Sequence, residues 1–237
     1  MNPLEIAAVS MQVDQQRLTT IAHNVANAST PGFKRSVLRA DAFASAMQAA
    51  ALQTGDSSVA STALDLREGA LRLTSAPLDI AVQGEGFIEL SSTAGRLVSR
   101  GGALRLDERG LLVTAQGHAV LGLKGEIRIA APQSAVSIDA AGKVRVNGQE
   151  QDQIKRVRFE PTATLAPVEP GVYSAADAVE APGDVALRSG YLEASNVNSA
   201  REMVQLMETA RHYESMQRAI QAYDDVLEHT LRKLGEN

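Results

Sequence analysis

Two long stretches, one near each end of this 237-residue chain, carry apolar or small residues at alternating spacings of four and three. In the N-terminal stretch these are Leu4, Ala8, Met11, Leu18, Ala22 and Val25, with Gln15 in the one polar position. This spacing predicts an amphipathic helix with a narrow apolar seam like that of a coiled coil. Asn2, Pro3 and Glu5 resemble a capping box at its start, and Thr30-Pro31-Gly32 should end it.

The C-terminal stretch predicts a second and longer helix. Its seam consists of Met203, Leu206, Ala210, Tyr213, Met216, Ile220, Tyr223, Leu227, Leu231 and Leu234. Ser199 and Glu202 have the spacing of another capping box, and Gly235 is a suitable stop. At about 1.5 Å per residue this helix would be roughly 55 Å long, and the N-terminal one roughly 35 Å.

Between the two helical stretches the apolar period changes to two. Short runs rich in Val, Leu and Ile predict strands at 104–107, 111–114, 136–139, 143–146 and 157–160. Two of the connections have the form strand-Asp-x-x-Gly-strand, in which Asp closes a turn and Gly supplies a positive φ. Residues 71 to about 188 therefore read as one antiparallel domain of at least eight short strands.

These patterns together predict an α+β fold in which the long N- and C-terminal helices pair as a coiled coil, with an antiparallel all-β domain inserted between them in the sequence. The expected boundaries are 1–30 for the first helix, 31–70 for a connector, 71–190 for the β domain and 191–237 for the second helix. The connector is rich in Ala, Ser and Thr, so we predict no regular structure for it.

Composition excludes several classes of function. The net charge is −5, with no basic stripe interleaved with aromatic residues, which argues against nucleic-acid binding. No apolar run approaches the ~20 residues that span a bilayer, and no cleaved signal peptide is expected. The absence of cysteine excludes disulfides and thiolate chemistry.

No residue pattern points to catalysis, a metal or a cofactor. The four histidines, His23, His118, His212 and His229, lack the spacing of metal ligands. Gly84-Glu85-Gly86 lacks the third glycine and the Lys-Ser/Thr of a phosphate loop, so we interpret it as a turn before a strand. We therefore expect no enzyme activity and no cofactor.

The first helix is poorly stabilised by its own seam. Burying its large members, Leu4, Met11, Leu18 and Val25, would contribute on the order of 6 to 12 kcal/mol at about 1.5 to 3 kcal/mol each. Ordering the backbone costs roughly 1 to 2 kcal/mol per residue over about 24 residues, and helix hydrogen bonds offset this only in part. We therefore expect the helices to order fully when other copies or related subunits pack against them.

Four segments carry a family resemblance. They are NVANASTPGFKR at 24–35, APLDIAVQGEGFIEL at 76–90, GLLVTAQGHAVLG at 110–122 and GYLEASNVNSAREMVQLMETARHYE at 190–214. In this order they resemble the bacterial flagellar basal-body rod and hook proteins. The chain length and single small β domain most resemble the proximal rod type, and next the distal rod type.

The resemblance implies a structural subunit that is exported unfolded through the flagellar type III apparatus, without a cleaved signal, and added to the rod in the periplasm. In such proteins the terminal helices form an inner coiled coil and the β domain faces outward. The implied partners are further copies and adjacent rod and distal rod subunits. Torque transmission along the rod is the implied role.

Beyond the seams, the residues expected at the assembly interface are Asn24, Asn27, Phe33, Asn196 and Asn198. The two asparagines before Pro31 should bond to the backbone near the helix end, while Phe33 fills an adjoining apolar surface. An alternative function is that of a soluble hydrolase or carbohydrate-binding β domain whose helices merely dimerise. It would place a concave site on the β domain, whereas a rod subunit would bury both termini between subunits.

Overall fold

A computed structural model describes residues 3–38, 62–92, 96–130, 135–159, 165–174, 178–180 and 185–235. The chain divides into two compact units. Within the described residues, the helical unit comprises 3–26, 35–38, 62–65 and 197–235, and the β unit comprises 27–34 and 66–196 apart from the gaps just given. The two units are described in turn.

The helical unit contains two long helices and a short strand pair. Helix α1 is Pro3–Ala26 and helix α2 is Ser199–Gly235. The helices run antiparallel, because Asn24 contacts Glu202 while Asp14, earlier in α1, contacts His212, later in α2. Strands β1 (Ser36–Leu38) and β2 (Thr62–Leu64) pair antiparallel.

The β1–β2 pair lies within the segment for which the sequence predicted no regular structure. Leu38 of β1 packs against the buried Val9 and Val13 of α1, so this strand covers an apolar face of the helix. The remainder of the predicted connector, 39–61, lies outside the described residues.

Helix α1 begins at Pro3, as predicted, and ends at Ala26, four residues before Thr30. A turn follows, in which the Thr30 backbone N–H donates to the Asn27 carbonyl at 3.1 Å. Gly32 has a φ of +70°, the left-handed conformation expected of glycine after a helix stop. The predicted cap residue Asn2 lies outside the described residues.

The predicted capping box at the start of α2 is wrong. Asn198 is the N-cap: its side-chain Oδ1 accepts from the Arg201 backbone N–H at 3.1 Å, and its carbonyl accepts from the Glu202 N–H. The Glu202 side chain is buried and contacts Arg35 and Asn24. The carboxylate therefore binds these tertiary partners instead of the backbone at the start of the helix.

The β unit contains eighteen short strands in its described residues. In chain order they are β3 (Leu71–Leu73), β4 (Asp79–Gln83), β5 (Phe87–Leu90), β6 (Leu97–Ser99), β7 (Gly101–Ala103), β8 (Arg105–Leu106), β9 (Leu112–Val113), β10 (Leu121–Gly122), β11 (Gly125–Glu126), β12 (Val136–Ile138), β13 (Lys143–Val146), β14 (Gln149–Gln153), β15 (Arg156–Phe159), β16 (Ala166–Glu169), β17 (Val172–Ser174), β18 (Ala178–Glu180), β19 (Ala186–Ser189) and β20 (Tyr191–Glu193). All their pairings are antiparallel.

The largest sheet has six strands in the order β16-β17-β6-β5-β15-β18. Two three-stranded sheets have the orders β19-β4-β7 and β12-β13-β14, and β20-β3, β8-β9 and β10-β11 form pairs. One aliphatic core joins the six-stranded sheet, both three-stranded sheets and the β8-β9 pair, and it includes the fully buried Ile80, Ile88, Leu112, Val144 and Val120. The fold is thus α+β, as predicted.

The two Asp-x-x-Gly turns form as the sequence predicted. Between β8 and β9, Asp107 Oδ1 accepts from the Leu111 N–H at 2.7 Å, and Gly110 has a φ of +74°. Between β12 and β13, Asp139 Oδ1 accepts from the Lys143 N–H at 2.9 Å, and Gly142 has a φ of +76°. Gly84 likewise forms the predicted turn before β5, with a φ of +90°.

No helix in the described ranges combines the length and the apolar character needed to cross a membrane.

Candidate assembly interface

Asn24 holds strand β1 against the end of α1. Its side-chain amide donates to the Ser36 carbonyl at 2.8 Å, and its Oδ1 accepts from the Ser36 N–H at 2.9 Å. The side chain therefore pairs with the strand as a neighbouring backbone would. Asn24 is buried, so replacing it with an apolar residue would leave both backbone groups of Ser36 without these partners.

Glu202 connects the two helices through a buried carboxylate. Only 1% of the residue is exposed, and it accepts from Arg35 Nε at 2.5 Å and from Asn24 Nδ2 at 3.2 Å. Arg35 also donates to Gln205 Oε1 at 3.1 Å. A buried carboxylate with a charged partner and a neutral one defines the position of α2 along α1.

A second polar contact between the helices lies ten residues earlier in α1 and ten residues later in α2. His212 Nδ1 lies 2.5 Å from Asp14 Oδ2, and Arg17 lies 3.9 Å from the other Asp14 oxygen. Asp14 is buried, whereas the His212 side chain is half exposed. Asn24 with Glu202 and Asp14 with His212 fix the register of the antiparallel pair at two points.

The face of α1 that is buried within the chain is not the predicted seam. Val9, Val13 and Ile21 are buried, together with the polar Asn24 and Asp14. At about 100° per residue, this set is centred on a different side of the helix from the predicted seam. Of the seam residues, Leu4, Met11, Leu18 and Val25 are half-buried, and Ala22 is exposed.

The predicted seam of α2 is likewise only partly covered. Leu206, Ala210, Tyr213, Met216 and Ile220 are half-buried, and Met203 and Tyr223 are exposed. The side chains of Leu227, Leu231 and Leu234 lie outside the described residues. The sequence did not predict that Val204 and Met207 would be exposed beside Met203, giving α2 an apolar patch in its first turns.

A groove of about 610 Å³ opens within the helical unit. Its lining includes Val13, Arg17, Arg35, Glu208 and His212, so its wall is partly apolar and partly charged of both signs. In the described part of the chain, no group of three or more His, Asp or Glu side chains is arranged to hold a metal ion.

Three predicted interface residues lie in the β unit. Phe33 is buried within the single chain, with 3% of the residue exposed. Asn27 is buried and its Oδ1 accepts from the Thr30 hydroxyl at 3.3 Å. Asn196 donates to the Arg67 carbonyl at 3.0 Å.

Beside Phe33 lies a buried charge cluster that the sequence did not reveal. Glu193 of β20 accepts from Lys34 Nζ at 2.6 Å, from Arg100 Nε at 2.8 Å and from the Gly69 N–H at 2.8 Å. The side chains of all three charged residues are at least 97% buried. Arg100 also donates to the Gly86 and Val82 carbonyls.

The cluster shifts the pKa values of its members. Burial alone would raise the pKa of Glu193, but the charge of Arg100 and the hydrogen bond from Lys34 outweigh burial and hold this pKa below its ordinary value. Burial lowers the pKa of Lys34, and its contact with Glu193 offsets that effect only in part. At neutral pH the carboxylate is thus firmly ionised.

Tyr173 of strand β17 forms hydrogen bonds with the segment Gly32–Lys34. Its hydroxyl accepts from the Lys34 backbone N–H at 2.7 Å and donates to the Gly32 carbonyl at 3.2 Å. Burial raises the pKa of this phenol, so the hydroxyl keeps its proton and can serve both partners. On the other side of the segment, the Gly32 N–H donates to the Glu193 carbonyl at 2.8 Å.

The sequence pattern indicated neither the buried face of α1 nor the buried charge cluster. A helical spacing also relates Val9, Val13 and Ile21, but Arg17 and Thr20 interrupt it. The more regular seam was therefore predicted as the apolar face of α1. Lys34 and Glu193 are 159 residues apart and give no local pattern.

Three family models match separate parts of the chain. The flagella basal body rod protein model matches residues 4–34, the flagellar hook protein FlgE/F/G D1 domain matches 81–146, and the flagellar basal body rod FlgEFG protein C-terminal model matches 188–232. They cover much of α1, part of the β unit and much of α2.

Curated relatives match over nearly the whole chain. The flagellar basal-body rod protein FlgF of Escherichia coli strain K12 is 33% identical, over 93% of this chain and 92% of its own length. FlgG of Bacillus subtilis strain 168 is 31% identical, over 90% of this chain and 92% of its own length. FlgF of Mesorhizobium japonicum is 30% identical, over 90% and 89% respectively.

The chain is a protein of the α+β class, with long terminal helices that carry partly exposed apolar seams and an antiparallel β unit between them in sequence. The chain belongs to the flagellar basal-body rod protein family. It is a structural rod subunit and not an enzyme, so the expected function is confirmed and the hydrolase alternative has no support.

Proposed function

We propose that this subunit joins the rod through the seams of α1 and α2, which pack as a coiled coil with helices of neighbouring subunits. The observation that carries this proposal is the exposure of those seams. Every apolar seam residue whose side chain is described remains half-buried or exposed in the single chain. Other residues, such as Val9, Val13 and Glu202, form the contacts within the chain.

The arrangement leaves apolar surface for a partner to cover. Met203, Val204 and Met207 are 45%, 49% and 52% exposed on the first turns of α2. Contiguous exposed apolar residues of this kind are typical of protein interfaces. Covering them contributes roughly 25 cal/mol for each Å² removed from water, which favours the assembled state.

The proposed partners are further copies of this chain and adjacent rod proteins, including distal rod subunits. We propose that the chain reaches the periplasm through the flagellar type III export apparatus without a cleaved signal peptide, and that the assembled rod transmits motor torque. The predicted interface residues Asn24, Asn27, Phe33, Asn196 and Asn198 would have a structural role in this assembly rather than carry chemistry. No cofactor takes part.

The test compares two substitutions on α2 in a strain whose own copy of the gene is deleted and whose swimming is restored by the wild-type gene. Met203→Glu places a charge in the exposed apolar patch, and Gln217→Glu places the same charge at an exposed polar position of the same helix. Because Met203 is already exposed, the purified Met203→Glu protein should keep its circular dichroism and melting temperature. The cells should nevertheless lose swimming, while those with Gln217→Glu swim normally.

Basal bodies isolated from both strains provide the direct measurement. The Met203→Glu protein should be missing from them or reduced at least tenfold, whereas the control should be present at the wild-type level. Normal swimming and normal incorporation of Met203→Glu would contradict the proposed role of this helix face.

A further inference from the structure

Among the described residues, strand β3 pairs with another strand on one side only. Its only ladder partner in the described residues is β20, with Leu73 opposite Tyr191 and Leu71 opposite Glu193. The hydrogen-bonded pairs alternate with these positions, because Ala194 N–H donates to the Ala70 carbonyl and Thr74 N–H to the Gly190 carbonyl. The backbone groups of Leu71 and Leu73 therefore point away from β20, toward the outside of the sheet.

This edge is also apolar on one face. Leu71 is 39% exposed and Leu73 is 62% exposed, and both lie on the same side of the strand because side chains alternate. Arg72, also exposed, lies on the opposite side. Natural proteins usually cover or charge such an edge, because its backbone and its apolar side chains can recruit another strand.

A second exposed edge belongs to the six-stranded sheet. Strand β16 is the outer strand next to β17, and all four of its residues are exposed. Val168 is 53% exposed and lies at a shift of register between Pro167 and Glu169. Ala166 is two positions before it, and the Glu169 carboxylate lies 3.1 Å from His118. Pro167 has no N–H, so a complete ladder along this edge is not expected.

The two edges flank one segment of the β unit. Gly32 donates to β20, whose other neighbour is β3. Gly32 and Lys34 bond to Tyr173 of β17, whose outer neighbour is β16. Strand β3 is thus the outer neighbour of β20, which bonds to Gly32. Strand β16 is the outer neighbour of β17, which bonds to Gly32 and Lys34.

We propose that the β3 edge of one copy docks against the β16 edge of the next copy. Leu71 and Leu73 would then meet Ala166 and Val168. Arg72 would lie near Glu169, so the two edges match in both apolar character and charge.

The same residues argue against a symmetric contact through β3 alone. Two copies of β3 paired antiparallel about Arg72 would place like charges opposite each other, which is destabilising. A contact between two different edges is heterologous, and such contacts repeat into rings or helical filaments instead of closed dimers. This is the symmetry that a rod requires, so the inference rests on the proposed function.

The contact is too small to act alone. Three or four residues on each side bury far less than the roughly 1,200 to 2,000 Å² of a stable interface. It should therefore form only between subunits that the terminal helices already hold together, where the effective concentration is high.

Disulfide cross-linking tests the contact directly, since the natural chain has no cysteine. The variant carrying both Leu73→Cys and Val168→Cys should form covalent dimers and higher species when isolated basal bodies are oxidised. The control carries Leu123→Cys and Val168→Cys, because Leu123 is also 62% exposed but belongs to the β10–β11 turn. The cross-linked fraction should exceed that of the control at least tenfold.

The outcomes separate the two proposals. If the double variant is incorporated into basal bodies but does not cross-link above the control, the docking of β3 on β16 is wrong and the proposed function stands. If the wild-type chain is itself missing from basal bodies, both proposals fail.

A charge exchange provides an independent test that does not depend on disulfide geometry. Arg72→Glu alone and Glu169→Arg alone should each reduce swimming, and the double variant should recover at least half of the loss. Arg105→Glu, at another exposed arginine on a short strand, is the matched control and should swim normally. Additive loss in the double variant would overturn the pairing of these two residues.

Discussion

Replacing Glu193 with alanine should destabilise the β unit more than any surface substitution of the same kind. The change removes the carboxylate that Lys34 and Arg100 share, leaving two buried cations without their counter-ion. Breaking a buried ion pair by deleting one partner costs about 3 to 5 kcal/mol. For a chain of this size that corresponds to a fall in melting temperature of roughly 6 to 20 °C, at about 2 to 4 °C per kcal/mol.

The matched control is Glu150→Ala. Glu150 and Lys143 are also an ion pair, at 2.9 Å, but their side chains are 48% and 36% exposed. Removing an exposed pair costs about 0 to 1 kcal/mol. The two variants therefore differ in burial and in the number of cations that lose their counter-ion, and differential scanning calorimetry of the full chain would compare them.

A double-mutant cycle sharpens this prediction. Lys34→Met removes one buried cation while retaining a long side chain, so combining it with Glu193→Ala should cost less than the sum of the two single changes. The difference would measure the coupling between the two residues. Equal melting temperatures for Glu193→Ala and Glu150→Ala would show that burial does not raise the stability cost of removing the Glu193 carboxylate.

Three further predictions concern the same unit. Tyr173→Phe leaves the Lys34 backbone N–H without its acceptor and should lower the free energy of unfolding by about 1 to 3 kcal/mol in urea titrations; no change would contradict this. The pKa of Glu193 lies below its ordinary value, so its ionisation contributes stability that is complete above the unfolded pKa of about 4.3 and is lost as pH falls toward the folded value. Glu193→Gln should accordingly flatten the acid limb of a stability curve measured against pH, and an unchanged limb would contradict the assignment. Gly110→Ala should destabilise the protein more than Gly117→Ala in thermal melts: both have positive φ, but a Cβ at Gly110 would lie 2.3 Å from the Ile129 carbonyl oxygen, and one at Gly117 meets nothing within 4 Å. Equal losses would show that conformation alone, and not the close approach, sets the cost.

Features that depend on neighbouring residues could be predicted from the sequence. The turns at Asp107 and Asp139 form because a carboxylate and a glycine three residues later are sufficient to close them. The start of α1 at Pro3 and the strands that follow the Asp-x-x-Gly turns have the same local origin. These elements need no distant partner to define them.

Features that depend on distant partners could not be predicted in the same way. The spacing of Ser199 and Glu202 satisfies the local rule for a capping box, but Arg35 and Asn24 bind the carboxylate instead. An ion pair and a buried hydrogen bond with residues far away in sequence outweigh one more bond at an exposed helix end. Asn198 then caps the helix.

Helix α1 shows a second limit to prediction from the sequence. Two sets of apolar residues share the helix, and periodicity alone does not say which set a partner from the same chain will cover. The structure shows that Val9 and Val13 pack against Leu38 within the chain, while Leu18 and Val25 remain half-buried. The regularity of the predicted seam is consistent with repeated contacts to other subunits.

The ion pair between Lys34 and Glu193 also has a consequence for the order of folding. It joins two residues 159 positions apart, so the β unit cannot complete its charge cluster until strand β20 has been synthesised. Contacts of such long sequence separation are associated with slow folding, because a large loop must close first. A nascent chain of this protein should therefore remain incompletely packed until nearly its whole length is available, and a truncation that removes Lys34 should leave the remaining β strands unable to reach the native state at the normal rate.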